Sequence, residues 1–332
     1  MSRTSQEIRL AARPQGRPDA STWELATTEV AEPGPGEFLV QLQQISLDPA
    51  MRGWLNDVRS YLPPVQIGAV MRAFGAGTVV ASQHDDFAVG DVVSGTFGVR
   101  EYAISDGTGV THLDLDVAPM STWLGALGMP GMTAWFGLED VGRAQPGDTV
   151  LVSAAAGAVG STVAQLAKAK GCRVIGVAGG PDKVAWLRDL GLDEVIDRRE
   201  GDLLRQVRRA APDGVDVYFD NVGGEHLEAA IGALSTFGRV AMCGAISQYN
   251  STEPPAAPRN LALAIGKGLT LRGFIVGQYP ELVAEYHSLA AQWLAEGRLV
   301  ADETFRDGLE GAPQAFMDLL EGANTGKMIV RL

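Results

Sequence analysis

The stretch of the chain with the clearest chemical meaning is a turn built from small residues. Residues 154–160 read AAAGAVG, and Ala155, Gly157 and Gly160 stand at the three glycine positions of the G-x-G-x-x-G fingerprint. An apolar, β-branched run over residues 149–152 precedes the turn, and apolar residues at helical spacing follow it. In such a strand–turn–helix unit, backbone N–H groups approach a pyrophosphate and the helix N-terminus adds partial positive charge. The turn therefore predicts a dinucleotide site.

The end of the next strand, predicted over residues 173–177, indicates which dinucleotide is bound. An NAD-preferring site usually has a carboxylate there, but this chain has AGG at 178–180. Lys183 just beyond, and Arg198 and Arg199 after the following strand-like run, could neutralise a 2′-phosphate. A lone lysine on a helix is more often a solvated surface charge, so the preference for NADPH depends on the three cations together.

Composition limits the classes of partner. The 332-residue chain has a formal net charge of −13, which argues against nucleic acid or an anionic membrane. The uncharged run at 149–167 contains glycines, and its strand-to-helix switch explains it without a bilayer. Cys172 and Cys243, each in a predicted strand region, have no metal or redox spacing, and the histidines are scattered, so no metal site is expected. Without an apolar segment at the N-terminus, the expected compartment is the cytoplasm.

Two patterns of secondary structure divide the chain. Residues 1–118 are β-rich with many turns, which predicts a small barrel or sandwich domain. Residues 119–296 alternate helices with strands, which predicts a doubly wound parallel α/β sheet with ligands at the carboxyl ends of its strands. Its predicted strands cover residues 149–152, 173–177, 194–196, 215–219, 239–243 and 269–276. Residues 297–332 are expected to return to the first domain and make it discontinuous.

Two loops of the first domain are rich in aromatic residues and proline. Met51 lies in the loop that reads LDPAMRGW, and Tyr61 opens the sequence YLPP. These loops predict a wall of a substrate pocket, and ordinary loop packing is the alternative interpretation.

Seven motifs, spread in order along essentially the whole chain, resemble those of one family. They are LDPxMR (47–52), MPGMTA (129–134), AAxGxxG (154–160), FDNVGG (219–224), CGAISQYN (243–250), GFIV (273–276) and NTGK (324–327). On these motifs the chain resembles the zinc-free medium-chain dehydrogenase/reductases, in the branch of leukotriene B and prostaglandin reductases, bacterial curcumin reductases and plant alkenal double-bond reductases.

The resemblance implies a Rossmann domain with a discontinuous GroES-like domain. It also implies NADPH-dependent reduction of the carbon–carbon double bond of an α,β-unsaturated ketone or aldehyde. The NADPH contacts that it implies are Met129, Thr133, Ala155, Gly157, Ala158, Val159, Gly160, Gly179, Lys183, Arg198, Asn221, Gly244, Tyr249, Phe274, Val276 and Asn324. For the two asparagines, turn formation is the alternative role.

Several positions depart from related sequences. Arg198 stands where relatives have a tyrosine that helps to hold the 2′-phosphate, and an arginine can bind phosphate in bidentate fashion. Ala50 replaces a common tyrosine, which would enlarge or reshape the pocket near Met51. Zinc-dependent relatives have a cysteine and a histidine near the positions of Asp48 and Gly68 and a four-cysteine lobe, none of which this sequence has. Metal-free catalysis is therefore expected.

Tyr249 is the catalytic residue that the resemblance implies. Hydride addition to the β-carbon of an enone places negative charge on the carbonyl oxygen, and a hydroxyl donor aimed at that oxygen is worth roughly 3–4 kcal/mol in other systems. The alternative role for Tyr249 is packing against the cofactor alone.

Two other functions are compatible with the sequence. A quinone reductase of the same superfamily would use the same cofactor with another hydride acceptor, and a cofactor-binding structural or regulatory protein would catalyse nothing. None of the tyrosines is followed four residues later by lysine, which argues against a short-chain dehydrogenase. The run at 269–276 could be a sheet edge that pairs across a two-fold axis, as in relatives, so a homodimer is expected; a covered edge is the equally compatible alternative.

Overall fold

The computed structural model describes residues 3–332, which divide into two compact units. The first consists of residues 3–124 together with Glu303–Leu332, and the second is Gly125–Asp302. Both divisions lie a few residues beyond the positions 118/119 and 296/297 expected from the sequence pattern.

Packing explains where the two units divide. Leu124 is buried with Leu113 and Ile329 in a small core cluster of the first unit, so residues 119–124 belong there. At the other division, the side-chain amide of Gln165 donates to the carbonyl of Val300 at 3.0 Å and accepts its N–H at 2.7 Å. These bonds hold the segment before residue 303 to the second unit.

Residues 3–124 form mainly short antiparallel strands. The elements are β1 (Arg3–Leu10), β2 (Trp23–Val30), β3 (Phe38–Ser46), α1 (Met51–Trp54), β4 (Gly75–Ser82), β5 (Val92–Gly95), β6 (Tyr102–Ser105), β7 (Thr111–His112) and α2 (Met120–Leu124). β1 and β2 pair with each other, and the remaining strands contribute to a larger sheet.

The second unit alternates helices with strands. The elements are α3 (Met129–Phe136), β8 (Thr149–Ser153), α4 (Ala158–Ala169), β9 (Arg173–Ala178), α5 (Pro181–Asp189), β10 (Glu194–Asp197), α6 (Leu203–Ala210), β11 (Val215–Asp220), α7 (Gly224–Ala233), β12 (Leu234–Met242), α8 (Leu263–Lys267), β13 (Thr270–Gly273) and α9 (Val283–Ala295). Short 3₁₀ turns cover Ile246–Gln248 and Val276–Gln278.

The six strands of this unit form one parallel sheet in the order β10-β9-β8-β11-β12-β13. Helices cover such a sheet on both faces, which explains the nearly continuous apolar sequences of β8, β9 and β11. The strand order reverses between β8 and β11, and ligands bind doubly wound sheets at the carboxyl ends of strands at this switch point. The predicted doubly wound fold is confirmed.

The C-terminal residues return to the first unit. They form β14 (Glu303–Asp307), α10 (Ala312–Leu320) and β15 (Lys327–Arg331). β15 pairs antiparallel with β3 and completes a seven-stranded sheet that includes the path β14-β15-β3-β4-β5-β7, with β6 on β3. The β-rich domain is therefore discontinuous in sequence. Within residues 3–332, no helix combines the length and the apolar character needed to cross a bilayer.

Two local predictions from the sequence are wrong. The apolar run at 269–276 was expected to be one strand, but only Thr270–Gly273 pairs with β12. Phe274 instead packs against the rings of Phe136 and Phe219, with ring centroids 5.6 and 6.2 Å away. The two cysteines lie just outside strands, since Cys172 immediately precedes β9 and Cys243 immediately follows β12.

Candidate cofactor and active site

The small-residue turn lies at the switch point, between β8 and α4. Ala154 turns the chain with a positive φ of 47°, and the N–H of Ala155 donates to the carbonyl of Val177 in β9 at 3.0 Å. A Cβ atom on Gly160 would lie 2.3 Å from the carbonyl oxygen of Ala154, so only glycine allows α4 to start this close to the turn. Among residues 3–332, no side chain caps the helix at Gly157. Its first N–H groups therefore suit an anion.

A cluster of positive charges lies where β9 and β10 end. A Cβ on Gly179 would lie 3.0 Å from Nε of Arg198, and a Cβ on Gly180 would lie 3.0 Å from Nη1 of Arg199. Burial lowers the pKa of Lys183, and the positive charges of Arg199 and Arg198 lower it further. A bound phosphate would relieve this repulsion among three cations, so the residues fit the 2′-phosphate of NADPH.

Asp197 ties the two loops of this cluster together. Its carboxylate accepts the N–H of Gly180 at 3.1 Å and the N–H of Arg199 at 2.9 Å. These bonds, with the charges of Arg199 and Arg198, lower the pKa of Asp197. His226 adds no charge to the cluster at neutral pH, because burial and Arg198 lower its pKa to about 4. Asp197 was not predicted as a site residue from the sequence, although a carboxylate at a strand end is a detectable signal.

Tyr249, Gly244 and Asn221 lie together beyond the ends of β11 and β12. The hydroxyl oxygen of Tyr249 accepts the N–H of Ala245 at 3.2 Å. A Cβ on Gly244 would lie 3.3 Å both from this hydroxyl and from the carbonyl oxygen of Asn221. Because the bond from Ala245 uses the phenol oxygen as an acceptor, Tyr249 can donate its own proton in a second bond.

Asn221 is hydrogen-bonded to the end of β8. Its side-chain amide donates to the carbonyl of Ser153 at 2.7 Å, and its N–H donates to the Ser153 hydroxyl at 2.9 Å. The hydroxyl of Ser153 in turn approaches Asp220. Neither Ser153 nor Asp220 was recognised from the sequence as part of the site, because the contact depends on the order of strands in the sheet.

Other predicted cofactor residues of the second unit lie on the elements around this edge. Met129 and Thr133 are one turn apart on the half-buried side of α3, and the Thr133 hydroxyl donates to the carbonyl of Met129 at 2.7 Å. Phe274 packs among aromatic rings, as described above, and Val276 is buried. Ala158 and Val159 open α4. Their contact with a cofactor stays a prediction.

The first unit holds Met51, Tyr61 and Asn324. Met51 is only 1% exposed and its sulfur accepts the N–H of Asp48 at 3.3 Å, so its side chain belongs to the core. Tyr61 is exposed, and its hydroxyl accepts the indole N–H of Trp54 at 3.0 Å. Asn324 is buried and its amide donates to the carbonyl of Gly326 at 2.7 Å, which is a turn contact.

The position that corresponds to a zinc ligand by resemblance holds a buried ion pair. Asp48 accepts the ammonium of Lys327 at 2.9 Å and the hydroxyl of Ser46 at 2.6 Å. Lys327 is itself 3% exposed. Across residues 3–332, no three His, Cys, Asp or Glu side chains are grouped as a metal site would require.

Comparison with known proteins gives matches over both units. Residues 158–296 match the family described as zinc-binding dehydrogenase, and residues 6–113 match that described as the N-terminal domain of oxidoreductase. NADPH-dependent curcumin reductase of Escherichia coli (strain K12) is 42% identical over 97% of this chain and 95% of its own length. Prostaglandin reductase 1 of Mus musculus is 42% identical over 96% of each chain. The crystal structure of CurA from Vibrio vulnificus in complex with NADPH is 43% identical, with a TM-score of 0.94 over 98% of each chain.

Proposed function

The chain belongs to the medium-chain dehydrogenase/reductase superfamily, in the branch of the curcumin and prostaglandin reductases, and on that premise we propose that it is an NADPH-dependent enone reductase. It reduces the carbon–carbon double bond of α,β-unsaturated ketones and aldehydes. The observation that carries this proposal is the pairing of the uncapped α4 turn with three cations at the same edge of the sheet.

NADPH supplies the hydride when it is bound. The N-terminal N–H groups of α4, with the close approach at Gly160, suit its pyrophosphate. Lys183, Arg198 and Arg199 suit its 2′-phosphate. Residues 178–180 carry no carboxylate, and the three cations outnumber the Asp197 carboxylate that accepts the N–H of Gly180. These three cations support a preference for NADPH over NADH.

We propose that Tyr249 donates a hydrogen bond to the carbonyl oxygen of the substrate. Negative charge grows on that oxygen as the β-carbon is reduced, and a donor fixed in advance stabilises it without rearrangement. Two contacts support this role. The N–H of Ala245 fixes the phenol oxygen, and Gly244 leaves room for it beside Asn221.

We further propose that Tyr61 contributes to the substrate pocket. A phenol is neutral over the physiological range, and although the Tyr61 side chain is partly exposed, desolvation raises the pKa of its phenol further. The indole N–H of Trp54 fixes its oxygen, and the ring offers an apolar face. Met51 supports this loop from the core rather than facing a ligand.

Catalysis without zinc is part of the proposal. It is supported by Asp48, whose carboxylate is already paired with the buried ammonium of Lys327. A metal ion at this position would have to compete with that ammonium, and a charged lysine beside a dication would be strongly repelled.

A homodimer in the cytoplasm is also proposed. β13 is an edge strand of the parallel sheet, and exposed apolar side chains lie on and near the neighbouring β12 and α8. They are Phe237, Leu261, Leu263 and Ile265. An exposed edge with apolar neighbours favours pairing with a second copy. The two free cysteines fit a reducing compartment.

The experiment that tests the function follows NADPH absorbance with a panel of enones and enals of increasing chain length. We expect NADPH oxidation with several of these substrates and slower oxidation with quinones. Faster turnover of quinones would favour the quinone reductase alternative. Stoichiometric NADPH binding without oxidation across the panel would favour a structural or regulatory protein.

A further inference from the structure

Asp220 is a buried carboxyl group that the proposed chemistry does not use. It ends β11 and is 1% exposed. Its Oδ1 accepts the hydroxyl of Tyr218 at 2.7 Å, the N–H of Gly223 at 2.8 Å and the N–H of Val222 at 3.0 Å. Burial raises the pKa of this carboxyl, and the bonds that it accepts oppose the rise. Several donors thus converge on one oxygen.

The same residue joins the ends of three strands. The hydroxyl of Ser153, at the end of β8, lies 3.4 Å from Oδ1 of Asp220 and also accepts the N–H of Asn221. The backbone carbonyl of Asp220 accepts the N–H of Cys243 at 2.9 Å and that of Gly244 at 3.0 Å, just after β12. Asp220 therefore contacts the ends of three strands, β8, β11 and β12, that carry proposed cofactor contacts.

The turn after Asp220 needs such a contact. Gly223 and Gly224 both have positive φ values, 70° and 52°, so the chain bends sharply into α7. This bend directs two successive N–H groups toward the carboxylate. If the carboxylate were removed, these buried or half-buried N–H groups would lose their acceptor, which is costly in the interior.

We propose that Asp220 is a positioning residue, whose carboxylate holds the turn at Val222 and Gly223 and, through Ser153, holds Asn221 and the end of β8 in the geometry required for cofactor binding. The proposal rests on the NADPH site proposed above. Asp220 acts through its neighbours and does not touch the reacting atoms.

The test compares Asp220→Ala with Asp220→Asn. Alanine removes the acceptor, whereas asparagine can keep an oxygen at the position of Oδ1. The matched control is Asp216→Ala. Asp216 lies in the same strand and accepts the N–H of Thr149 at 2.9 Å, but it lies near the amino end of the strand, away from the proposed site. Ser153→Ala provides a second variant, which removes the hydroxyl that accepts the N–H of Asn221 and leaves both the Ser153 carbonyl and the carboxyl group of Asp220 intact.

Two readouts are measured on the full-length protein. The first is the Kd for NADPH from cofactor fluorescence. The second is the rate at which a neutral thiol reagent modifies Cys243 without NADPH, quantified by peptide mass spectrometry with Cys172 as the internal reference. Burial and, after it, the charge of Asp220 raise the pKa of Cys243 to about 12, and the N–H of Cys243 donates to the Asp220 carbonyl, so this thiol reports on the packing and charge around Asp220.

The expected pattern separates positioning from general stability. Asp220→Ala raises the Kd for NADPH by on the order of 10–100-fold, from the loss of charge-assisted bonds, and Ser153→Ala raises it less. Asp220→Asn changes the Kd by less than about tenfold. In both Asp220 variants the reagent modifies Cys243 faster than in the parent protein, while the rate at Cys172 is unchanged. Asp216→Ala resembles the parent protein in both readouts.

Several results would overturn the proposal. An unchanged Kd in Asp220→Ala, beside a parent protein that binds NADPH, would show that Asp220 positions nothing that the cofactor needs. If Asp220→Ala does not fold, the proposal is overturned by an unchanged Kd for NADPH in Ser153→Ala together with unchanged Cys243 reactivity in Asp220→Asn. A parent protein that fails to bind NADPH would contradict the proposed function instead. In that case, unchanged Cys243 reactivity in the Asp220 variants would still contradict the positioning role of Asp220.

Discussion

The backbone of Gly160 is so close to Ala154 that a Cβ atom at residue 160 would lie 2.3 Å from the Ala154 carbonyl oxygen. Gly160→Ala should therefore push α4 away from the turn, at a cost of about 1–3 kcal/mol. We expect the Kd for NADPH to rise at least ~10-fold, measured by fluorescence titration. Gly157→Ala is the matched control, because a Cβ there would lie 3.3 Å from the same oxygen. Equal effects of the two substitutions would contradict the close-approach argument.

The cation cluster predicts the cofactor preference of single variants. Lys183→Ala and Arg199→Ala should each lower the ratio of kcat/KM for NADPH to that for NADH by about 10–100-fold, since each removes a charged partner of the 2′-phosphate. Activity with NADH should change little. Lys168→Ala is the control, because Lys168 pairs with Asp193 on the surface. An unchanged ratio in Lys183→Ala would remove that lysine from the site.

Tyr249→Phe tests the donor role. Loss of one donor to a developing oxyanion should lower kcat with an enone by about 10²–10³-fold, while the Kd for NADPH stays close to that of the parent. Rapid-mixing measurement of a single turnover separates this loss from slow product release. Full turnover in Tyr249→Phe would show that the ring only packs against the cofactor.

Ile265→Glu tests the proposed dimer. Ile265 is 87% exposed, so the substitution costs the monomer little, but in a subunit interface it would bury an unpaired charge at a cost of at least ~1–3 kcal/mol. Sedimentation velocity should show a shift from dimer toward monomer. Val89→Glu is the control, as Val89 is 65% exposed in the first unit. A parent protein that sediments as a monomer would contradict the dimer.

The sequence predicted those parts of the site that depend on local pattern. Strand, turn and helix follow one another at residues 149–169 within one βαβ unit, so periodicity and the positions of Gly157 and Gly160 were enough to predict the turn. The expected strand at 269–276 failed because an apolar run does not show where pairing stops. Phe274 leaves the sheet for the rings of Phe136 and Phe219, and this choice depends on side chains distant in sequence.

Contacts between distant segments account for the rest of what was missed. Ser153 and Asp220 are separated by 67 residues, and they meet only because β8 and β11 are neighbours at the switch point. Met51 was expected in a loop, but it begins the short helix α1 and its side chain turns into the core. The aromatic and proline content of this segment predicted neither the helical turn nor the direction of one side chain.

The most direct test of the account is the fate of the hydride itself. NADPH deuterated at the transferable position of the nicotinamide is incubated with the protein and an acyclic enone, and the product is examined by NMR. We expect a saturated ketone with deuterium on the β-carbon. Deuterium on a carbinol carbon, from reduction of the carbonyl group, or recovery of the unreacted enone with every substrate of the panel, would contradict it.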